Sequence, residues 1–204
     1  MEHIKTLKRD RLQESHVLQA LSLDYLVYPK KYHLTSDDCL DYFHKNPYIY
    51  FMAADTKTNK IVGYINFSPL DTSCYTVLKS GEAIDTIVSG NDVLVYKPHK
   101  HYHGYFSSIV VHPDYRHKGI AKQLLEDLFN YLYYLAKEQD IWFDEITADI
   151  ISPEGARLAP KFGFVSISNS SHDSTLMLLN PRSPGKRLTQ KNMPFFRLYM
   201  SMGA

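Results

Sequence analysis

The hydrophobic and polar positions of this chain follow two spacings, and each spacing predicts a different kind of element. Apolar residues at helical spacing predict a long amphipathic helix after Gly119, whose buried stripe comprises Ala121, Leu124, Leu125, Leu128, Leu132 and Leu135. Similar spacing predicts a helix through residues 12–21. A polar capping cluster at residues 35–38 predicts a further helix, which Pro47 ends.

Short runs rich in β-branched and aromatic residues predict the strands. These runs are residues 3–7, 48–54, 61–67, 104–111, 145–151, 164–167 and 174–179, and residues 48–67 form a hairpin. Ser152 and Pro153 predict the start of another helix, which ends before Gly163. We also expect a helix near residues 82–88 and a strand over residues 194–200.

Alternating strands and helices predict an α/β protein. The 204 residues, of which 44% are hydrophobic and 13% aromatic, fit one domain over residues 1–180 with an extension over residues 181–204. The net charge of +1 gives no strong positive electrostatic field that would attract nucleic acid. Neither a signal peptide nor an apolar run long enough for a membrane span is evident, so a cytoplasmic location without membrane association is expected.

The segment around Gly119 contains the candidate ligand-binding residues. Ile109, Val110 and Val111 end a strand, Pro113 stops it, and a turn then leads into the long helix. The first amides of a helix point outward without intrahelical partners, and the helix dipole adds positive charge there. A strand, a glycine-containing turn and a helix N-terminus therefore predict a site for a pyrophosphate. The residues expected to bind it are Arg116, His117, Lys118, Gly119, Ile120, Ala121 and Lys122.

This segment resembles the acyl-CoA-binding motif of the GCN5-related N-acetyltransferase (GNAT) superfamily. The motif, Arg/Gln-x-x-Gly-x-Gly/Ala, is here Arg116-His117-Lys118-Gly119-Ile120-Ala121 after Val111-His112-Pro113. The resemblance covers residues 48–180 well and implies a central twisted mixed β-sheet flanked by helices. It also implies acetyl-CoA as the acyl donor, with the motif strand from Ile109 to Val111 helping to hold it, and direct attack on the thioester by a primary amine of a small molecule or protein.

A second segment, from Ser152 to Phe164, resembles the family but departs from it at one position. Gly163-Phe164 fits, and Ser152 stands at an Asn-like position, where the resemblance implies a contact with the cofactor. Ala159 stands where members commonly have a Tyr that protonates the leaving thiolate. A non-catalytic acyl-CoA-binding regulatory module on the same fold is therefore the alternative function.

The group that takes the proton of the amine is not evident in the motif strand, which contains no carboxylate. His103, Tyr105 and Ser107 alternate along one side of it, and Asp149 lies on the neighbouring strand. We take His103, Tyr105 and Asp149 as the candidate catalytic residues, with Tyr105 as the candidate acid.

Two other features bear on cofactors and partners. His99, His101 and His103 alternate as zinc ligands can, but Lys97 and Lys100 flank them, and no metal site is expected. The tail holds five basic and no acidic residues together with large apolar side chains. We expect its residues 194–200 to pair with a sheet edge, either of their own domain or across a homodimer.

Overall fold

The structure is a computed structural model that describes residues 3–186, 188 and 190–202. Short 3-10 turns separate some of its helices and strands. In chain order the elements are β1 Ile4–Thr6, α1 Glu14–Val27, α2 Ser36–Lys45, β2 Tyr50–Asp55, β3 Lys60–Leu70, α3 Thr72–Ser80, β4 Lys100–Val111, α4 Ile120–Gln139, β5 Ile141–Ile150, α5 Pro153–Leu158, β6 Val165–Asn169, β7 Thr175–Leu179 and α6 Met193–Ser201.

The strands form one mixed sheet with the order β1-β2-β3-β4-β5-β7-β6. The pairs β1–β2, β2–β3, β5–β7 and β6–β7 are antiparallel, and β4–β5 is parallel. The parallel pair follows from its long connection, because β4 reaches β5 only after the crossover helix α4. This arrangement confirms the predicted α/β fold with a central mixed sheet and flanking helices.

The chain divides into two compact units, and the first contains the start of the sheet. It comprises the described residues up to Ser68 together with Asp85–Val95 and Ser107–Leu128. Its core residues are mostly aliphatic and aromatic, and they include Val17, Leu21, Ile49, Phe51, Met52, Ile65, Phe67, Val93, Leu124 and Leu128. Val17 and Leu21 confirm the predicted buried stripe of α1, but Leu18 of the same predicted stripe is 40% exposed.

The second unit comprises Pro69–Ile84, Tyr96–Phe106 and the described residues from Phe129 onward. Aromatic side chains dominate its core, namely Phe129, Phe143, Phe162, Phe195, Phe196 and Tyr199, each at most 2% exposed. Phe129 meets Phe195 edge to face, with ring centroids 5.1 Å apart. Such an arrangement adds to the stabilisation that burial alone gives. Aromatic residues thus make up much of the core of this unit.

The structure corrects the prediction for residues 71–88. Asp71 Oδ1 accepts the amides of Ser73 at 2.8 Å and Cys74 at 3.3 Å and thereby caps α3, a helix that the sequence analysis did not predict. The helix expected near residues 82–88 is only a 3-10 turn at Asp85–Ile87. Gly81, with φ +76°, ends α3.

The prediction of a strand over residues 194–200 is wrong, because these residues lie in helix α6. Phe195, Phe196 and Tyr199 stand at positions i, i+1 and i+4, so one helical face carries all three into the core. The Tyr199 hydroxyl accepts a hydrogen bond from the Phe143 amide at 3.0 Å. The tail therefore packs as a helix within its own chain and does not pair with a sheet edge.

Candidate active site

The loop between β4 and α4 has the local geometry that the sequence motif predicts. After β4 ends at Val111, a 3-10 turn at Pro113–Tyr115 leads to a left-handed turn and then to the 20-residue helix α4. His117 has φ +61° and Gly119 has φ +75°, so two left-handed residues turn the chain into the helix. Residues other than glycine rarely adopt this conformation, and it explains why glycine stands at position 119.

The space beside Gly119 is open. A Cβ atom built at Gly119 would meet no heavy atom within 4 Å. The Gln123 amide donates to the Gly119 carbonyl at 3.0 Å and closes the first turn of α4, so the amides before it point out of the helix. An anion can therefore approach the backbone of this loop and the positive end of the helix dipole.

The basic side chains of the loop lie along its outer surface. Lys118 Nζ donates to the Asp114 carbonyl at 2.9 Å and lies 4.8 Å from the centroid of the Tyr115 ring. Arg116 Nε donates to the Val111 carbonyl at 3.4 Å. His117 and Lys122 are also exposed. These side chains supply positive charge beside the outward-pointing amides.

Gly63 on β3 allows the end of β4 and the start of α4 to approach closely. A Cβ atom at Gly63 would lie 3.0 Å from the Val110 carbonyl oxygen and 3.1 Å from Ile120 Cγ2. Because both distances are shorter than ordinary contacts, a side chain there would displace β4 or α4. Gly63 thus helps to fix the position of the loop.

Ser152 serves as the N-cap of α5, as the sequence predicts. Its Oγ accepts the Gly155 amide at 3.0 Å, and Pro153 occupies the first turn. The helix is shorter than expected, because residues 159–162 form a 3-10 turn that ends at Gly163, with φ +87°. Ala159 offers no side-chain proton donor.

The structure places the three predicted catalytic residues on neighbouring strands of the second unit. In the β4–β5 register, His103 faces Glu145 and Tyr105 faces Thr147, and the register ends with Phe106 opposite Ala148. Tyr105 is only 2% exposed, whereas His103 and Asp149 are half-buried. Asp149 follows the last β4–β5 pair, and its register partner is Leu176 on β7.

A polar cluster that the sequence analysis missed surrounds His103 in the same unit. The His103 ring stacks on Tyr75 with centroids 4.5 Å apart. The Tyr75 hydroxyl lies 2.8 Å from Thr147 Oγ1 and donates to Glu145 Oε2 at 3.3 Å. Lys79 Nζ lies 2.5 Å from the same Glu145 oxygen. Since Tyr75 and Lys79 belong to α3, the cluster could not be predicted without that helix.

His99 and His101 each contact a carboxylate. His99 Nδ1 lies 2.7 Å from Asp140 Oδ2, and His101 Nδ1 lies 2.8 Å from Asp144 Oδ1. With the ring of His103 stacked on Tyr75, the three imidazoles that alternate in sequence have three different partners.

A second polar cluster lies in the first unit, beside the strand segment that precedes the loop. Asp24 of α1 is only 5% exposed, and Tyr64 of β3 interacts with its side chain. Ser108 of β4 lowers the pKa of both Tyr28 and Tyr64. The Tyr28 hydroxyl also donates to the Ile109 carbonyl at 3.2 Å. We call Asp24, Tyr28, Tyr64 and Ser108 the α1–β4 cluster.

Burial is the main cause of the raised pKa values of Asp24 and Tyr64. Desolvation raises the pKa of Asp24 from 3.8 to about 7, and the interaction with Tyr64 and the nearby His33 offset part of that rise. Desolvation and the Asp24 charge also raise the pKa of Tyr64 well above its ordinary value. The Asp24 atom Oδ1 is buried and has no hydrogen-bond partner among the described residues. Such a carboxylate is costly to stability, and groups of this kind concentrate at functional sites.

One signal in the sequence points to Asp24. Val17, Leu21, Asp24 and Tyr28 follow one another at spacings of four, three and four residues, which places them on one face of α1. A charged residue thus interrupts an apolar helical stripe. The helix predicted from the sequence ends at residue 21, so it does not include Asp24.

The sequence of this chain matches a known protein family. The sequence profile of the acetyltransferase (GNAT) family matches residues 16–139. This range holds most of α1, the α1–β4 cluster and the whole β4–loop–α4 segment. Among curated protein sequences, no match was found.

Solved structures share the fold at low sequence identity. Ard1 from Thermoplasma volcanium is 13% identical with a TM-score of 0.57, covering 87% of this chain and 97% of its own. Arabidopsis thaliana Naa50, solved with the bisubstrate analogue CoA-Ac-MVNAL, is 15% identical with a TM-score of 0.53, covering 86% and 97%. A GNAT-family acetyltransferase from Staphylococcus aureus is 16% identical with a TM-score of 0.54, covering 87% and 98%. With the profile match over more than half of its length, the chain belongs to the acetyltransferase (GNAT) family.

Proposed function

We propose that this protein is an N-acetyltransferase that moves the acetyl group of acetyl-CoA to a primary amine of a small molecule or protein. The observation that carries the proposal is the β4–loop–α4 segment, in which Gly119 has φ +75° and leaves open space in front of the helix N-terminus. Acetyl-CoA is the acyl donor of the family to which the chain belongs.

The loop amides bind the pyrophosphate of acetyl-CoA in this proposal. Residues 116–121 supply the amides, and the side chains of Arg116, His117, Lys118 and Lys122 supply positive charge. Each charge-assisted hydrogen bond contributes about 1.5–3 kcal/mol. Ile109, Val110 and Val111 hold the arm that ends in the thioester, and Ser152 adds a further contact to the cofactor.

Acetyl transfer then needs a neutral amine and a stabilised carbonyl oxygen. The amine nitrogen attacks the thioester carbon, the C–N bond forms, and the C–S bond breaks with both electrons remaining on sulfur. A backbone amide near Val110 or Val111 donates to the carbonyl oxygen as it gains charge. Loss of one such donor in comparable sites lowers the rate by about 10²–10³. His103, Tyr105 and Asp149 stay predicted catalytic residues, with Tyr105 as the candidate acid.

A thermal-shift measurement with acetyl-CoA tests the binding part. A ligand that binds only the folded protein at a hundredfold excess over Kd stabilises it by about 2.7 kcal/mol. We expect Gly119→Asn to abolish this shift. Asn tolerates a positive φ better than other side chains, but it fills the open space where the pyrophosphate would lie. A folded Gly119→Asn protein with the full shift would show that the loop does not bind acetyl-CoA.

Two variants distinguish the effect of loop charge on acetyl-CoA binding from the effect of charge elsewhere on the surface. Arg116→Ala removes a charge from the loop, whereas Lys57→Ala removes one from the exposed turn between β2 and β3. We expect about tenfold weaker acetyl-CoA binding for Arg116→Ala, because one charge-assisted contact is lost. Lys57→Ala should bind acetyl-CoA as the wild type does.

Two features of the sequence favour the alternative function, a non-catalytic acyl-CoA-binding module. Ala159 stands where a thiolate-protonating Tyr is common in the family, and the motif strand contains no carboxylate. Free-thiol release from acetyl-CoA with spermidine, tyramine and a peptide holding an α-amine and a lysine distinguishes the two. Amine-dependent release supports the transferase. Acetyl-CoA binding without release for any of these amines supports the module.

A further inference from the structure

The polar cluster around His103 binds an ammonium group that belongs to the chain itself. Lys79 Nζ lies 2.5 Å from Glu145 Oε2 and 5.9 Å from the centroid of the Tyr75 ring. A cation is attracted both to a carboxylate and to the face of an aromatic ring at such distances. The Tyr75 ring is itself stacked on His103, and all these residues lie in the second unit. We call Tyr75, His103, Glu145 and Thr147 the ammonium site.

The groups at the base of the ammonium site are held firmly, whereas the cation is not. Tyr75 is 3% exposed and Thr147 is fully buried, and the Tyr75 hydroxyl lies 2.8 Å from Thr147 Oγ1. Burial raises the pKa of Tyr75, so this hydroxyl stays neutral. The Lys79 side chain, in contrast, is 34% exposed and ends a flexible four-carbon stem. Its ammonium group can therefore leave, and another can replace it, without rearrangement of the buried groups.

Glu145 can accept further hydrogen bonds from a ligand. Its Oε2 atom accepts from both Lys79 Nζ and the Tyr75 hydroxyl. Its Oε1 atom has no hydrogen-bond partner among the residues that the structure describes. The Glu145 side chain is 29% exposed, so an ammonium group can reach it from solvent. An ionised carboxylate accepts up to about four hydrogen bonds, and Glu145 thus suits a cation with several N–H donors.

An ion pair with Glu145 suits a charge that the acceptor keeps rather than the nitrogen that reacts. A nearby opposite charge favours the charged form of an amine. The reacting nitrogen must instead be neutral when it attacks the thioester carbon. An amine bound between Glu145 and Tyr75 would be held in the form that cannot react. Because His103 is both a predicted catalytic residue and part of this site, an acceptor bound here by one nitrogen can present another to the reacting groups.

We propose that Tyr75 and Glu145 bind a second, non-reacting positive charge of the acceptor, and that Lys79 occupies their site in the free protein. The preferred acceptors are then amines that carry a further cationic group. This inference rests on the proposed function. Lys79 leaves when the second ammonium group of the acceptor binds, and it returns when the product leaves. The fraction of molecules in which Lys79 occupies the site therefore lowers the apparent affinity for the acceptor.

Two acceptors of equal length test the second charge. Cadaverine has an amine at each end of a five-carbon chain, and hexylamine has a methyl group in place of one amine. The KM of each is measured with the full-length protein and acetyl-CoA as free-thiol release, and the binding of each to CoA-loaded protein as a thermal shift. We expect the KM for cadaverine to be about tenfold lower, because one charge-assisted contact is added. Equal KM values and equal thermal shifts would overturn the proposal.

Substitution of the two charged residues should change the KM for cadaverine in opposite directions. Glu145→Gln keeps the size of the side chain but not its charge, and we expect the KM for cadaverine to rise about tenfold. Lys79→Met removes the internal cation, and we expect the KM for cadaverine to fall about threefold to tenfold, because the site is then open in every molecule. The KM for hexylamine should change in neither variant. A Glu145→Gln protein that keeps the wild-type preference for cadaverine, or a Lys79→Met protein that binds cadaverine no better, would overturn the proposal.

Lys137→Met is the matched control for Lys79→Met. Lys137 Nζ lies 3.6 Å from Glu138 Oε1 and 5.8 Å from the centroid of the Tyr133 ring, a similar pair of neighbours on α4. This variant should leave the KM for both amines as in the wild type. If it lowered the KM for cadaverine as much as Lys79→Met does, surface charge in general would be the cause, and the proposal would be wrong.

Failure of this inference and failure of the proposed function give different results. Protein that binds acetyl-CoA but releases no thiol with any amine contradicts the transferase. The thermal shift of CoA-loaded protein still tests the ammonium site in that case, because a larger shift with cadaverine than with hexylamine supports the site and equal shifts overturn it. Protein that acetylates cadaverine and hexylamine with the same KM contradicts the ammonium site alone.

Discussion

At the scale of single residues, Asp24 lowers the stability of the fold at neutral pH. Its pKa is raised from 3.8 to about 7, so between these values the folded chain binds a proton that the unfolded chain has released. The free energy of unfolding therefore falls as the pH rises through this range. Most buried positions of α1 carry apolar side chains, and a charged residue that costs stability there points to a role other than packing.

Asp24→Asn should remove this pH-dependent loss. We expect the free energy of unfolding of the variant, relative to wild type, to be higher at pH 8 than at pH 5 by roughly 2–3 kcal/mol, since Asn does not ionise. Urea unfolding at the two pH values measures this difference. If the difference between variant and wild type is the same at pH 5 and pH 8, Asp24 titrates alike in the folded and unfolded chains.

The loop residues were predictable from the sequence, and the α1–β4 cluster was not. Gly119 needs a left-handed backbone and its motif is contiguous, so local rules identify it. Asp24, Tyr64 and Ser108 come from three elements that are far apart in sequence, and only the packing of α1 on β3 and β4 brings them together. A charged residue within an apolar stripe marks such a position but does not show its partners.

At the scale of elements, the contact between β3, β4 and α4 fixes the proposed binding loop. Gly63 permits it, because a Cβ atom there would lie 3.0 Å from the Val110 carbonyl oxygen and 3.1 Å from Ile120 Cγ2. We expect Gly63→Ala to lower the free energy of unfolding by about 1–3 kcal/mol through overpacking. Since the displaced atoms border the loop, the acetyl-CoA thermal shift should also fall.

Gly90→Ala is the matched control for Gly63→Ala. A Cβ atom at Gly90 would lie 3.1 Å from Asp41 Cβ, a similarly close contact in the same unit but away from the loop. It should lower the melting temperature and leave the acetyl-CoA shift intact. Equal losses of the shift in both variants would show that Gly63 affects binding only through overall stability.

The observed helices and strands show where local sequence patterns are sufficient to predict secondary structure. The hairpin of β2 and β3, helix α4 and the β6–β7 hairpin follow their predicted periodicities. Helix α3 was missed because only Tyr75, Leu78 and Cys74 of its nine residues are buried, too few for a periodic stripe. Helix α6 was mistaken for a strand because a short run of large apolar residues fits both periods.

At the scale of the whole molecule, the tail completes the core of the second unit. Phe195, Phe196 and Tyr199 are each at most 2% exposed, and their neighbours include Phe129 and Trp142. Full burial of one such side chain contributes about 1.5–3 kcal/mol. The aromatic residues of α6 therefore stabilise a core whose other residues lie mostly much earlier in the chain.

Deletion of residues 190–204 should lower the melting temperature strongly, because it removes three buried rings and the hydroxyl that accepts the Phe143 amide at 3.0 Å. Deletion of residues 202–204 alone is the control, since it leaves α6 in place and should not change the melting temperature. Light scattering should show the wild type and both truncated proteins at the same oligomeric state, because the aromatic face of α6 packs within its own chain. An unchanged melting temperature for the longer deletion would contradict a structural role for α6. A loss of mass per particle beyond the deleted residues would instead place this helix at an interface between two copies of the chain.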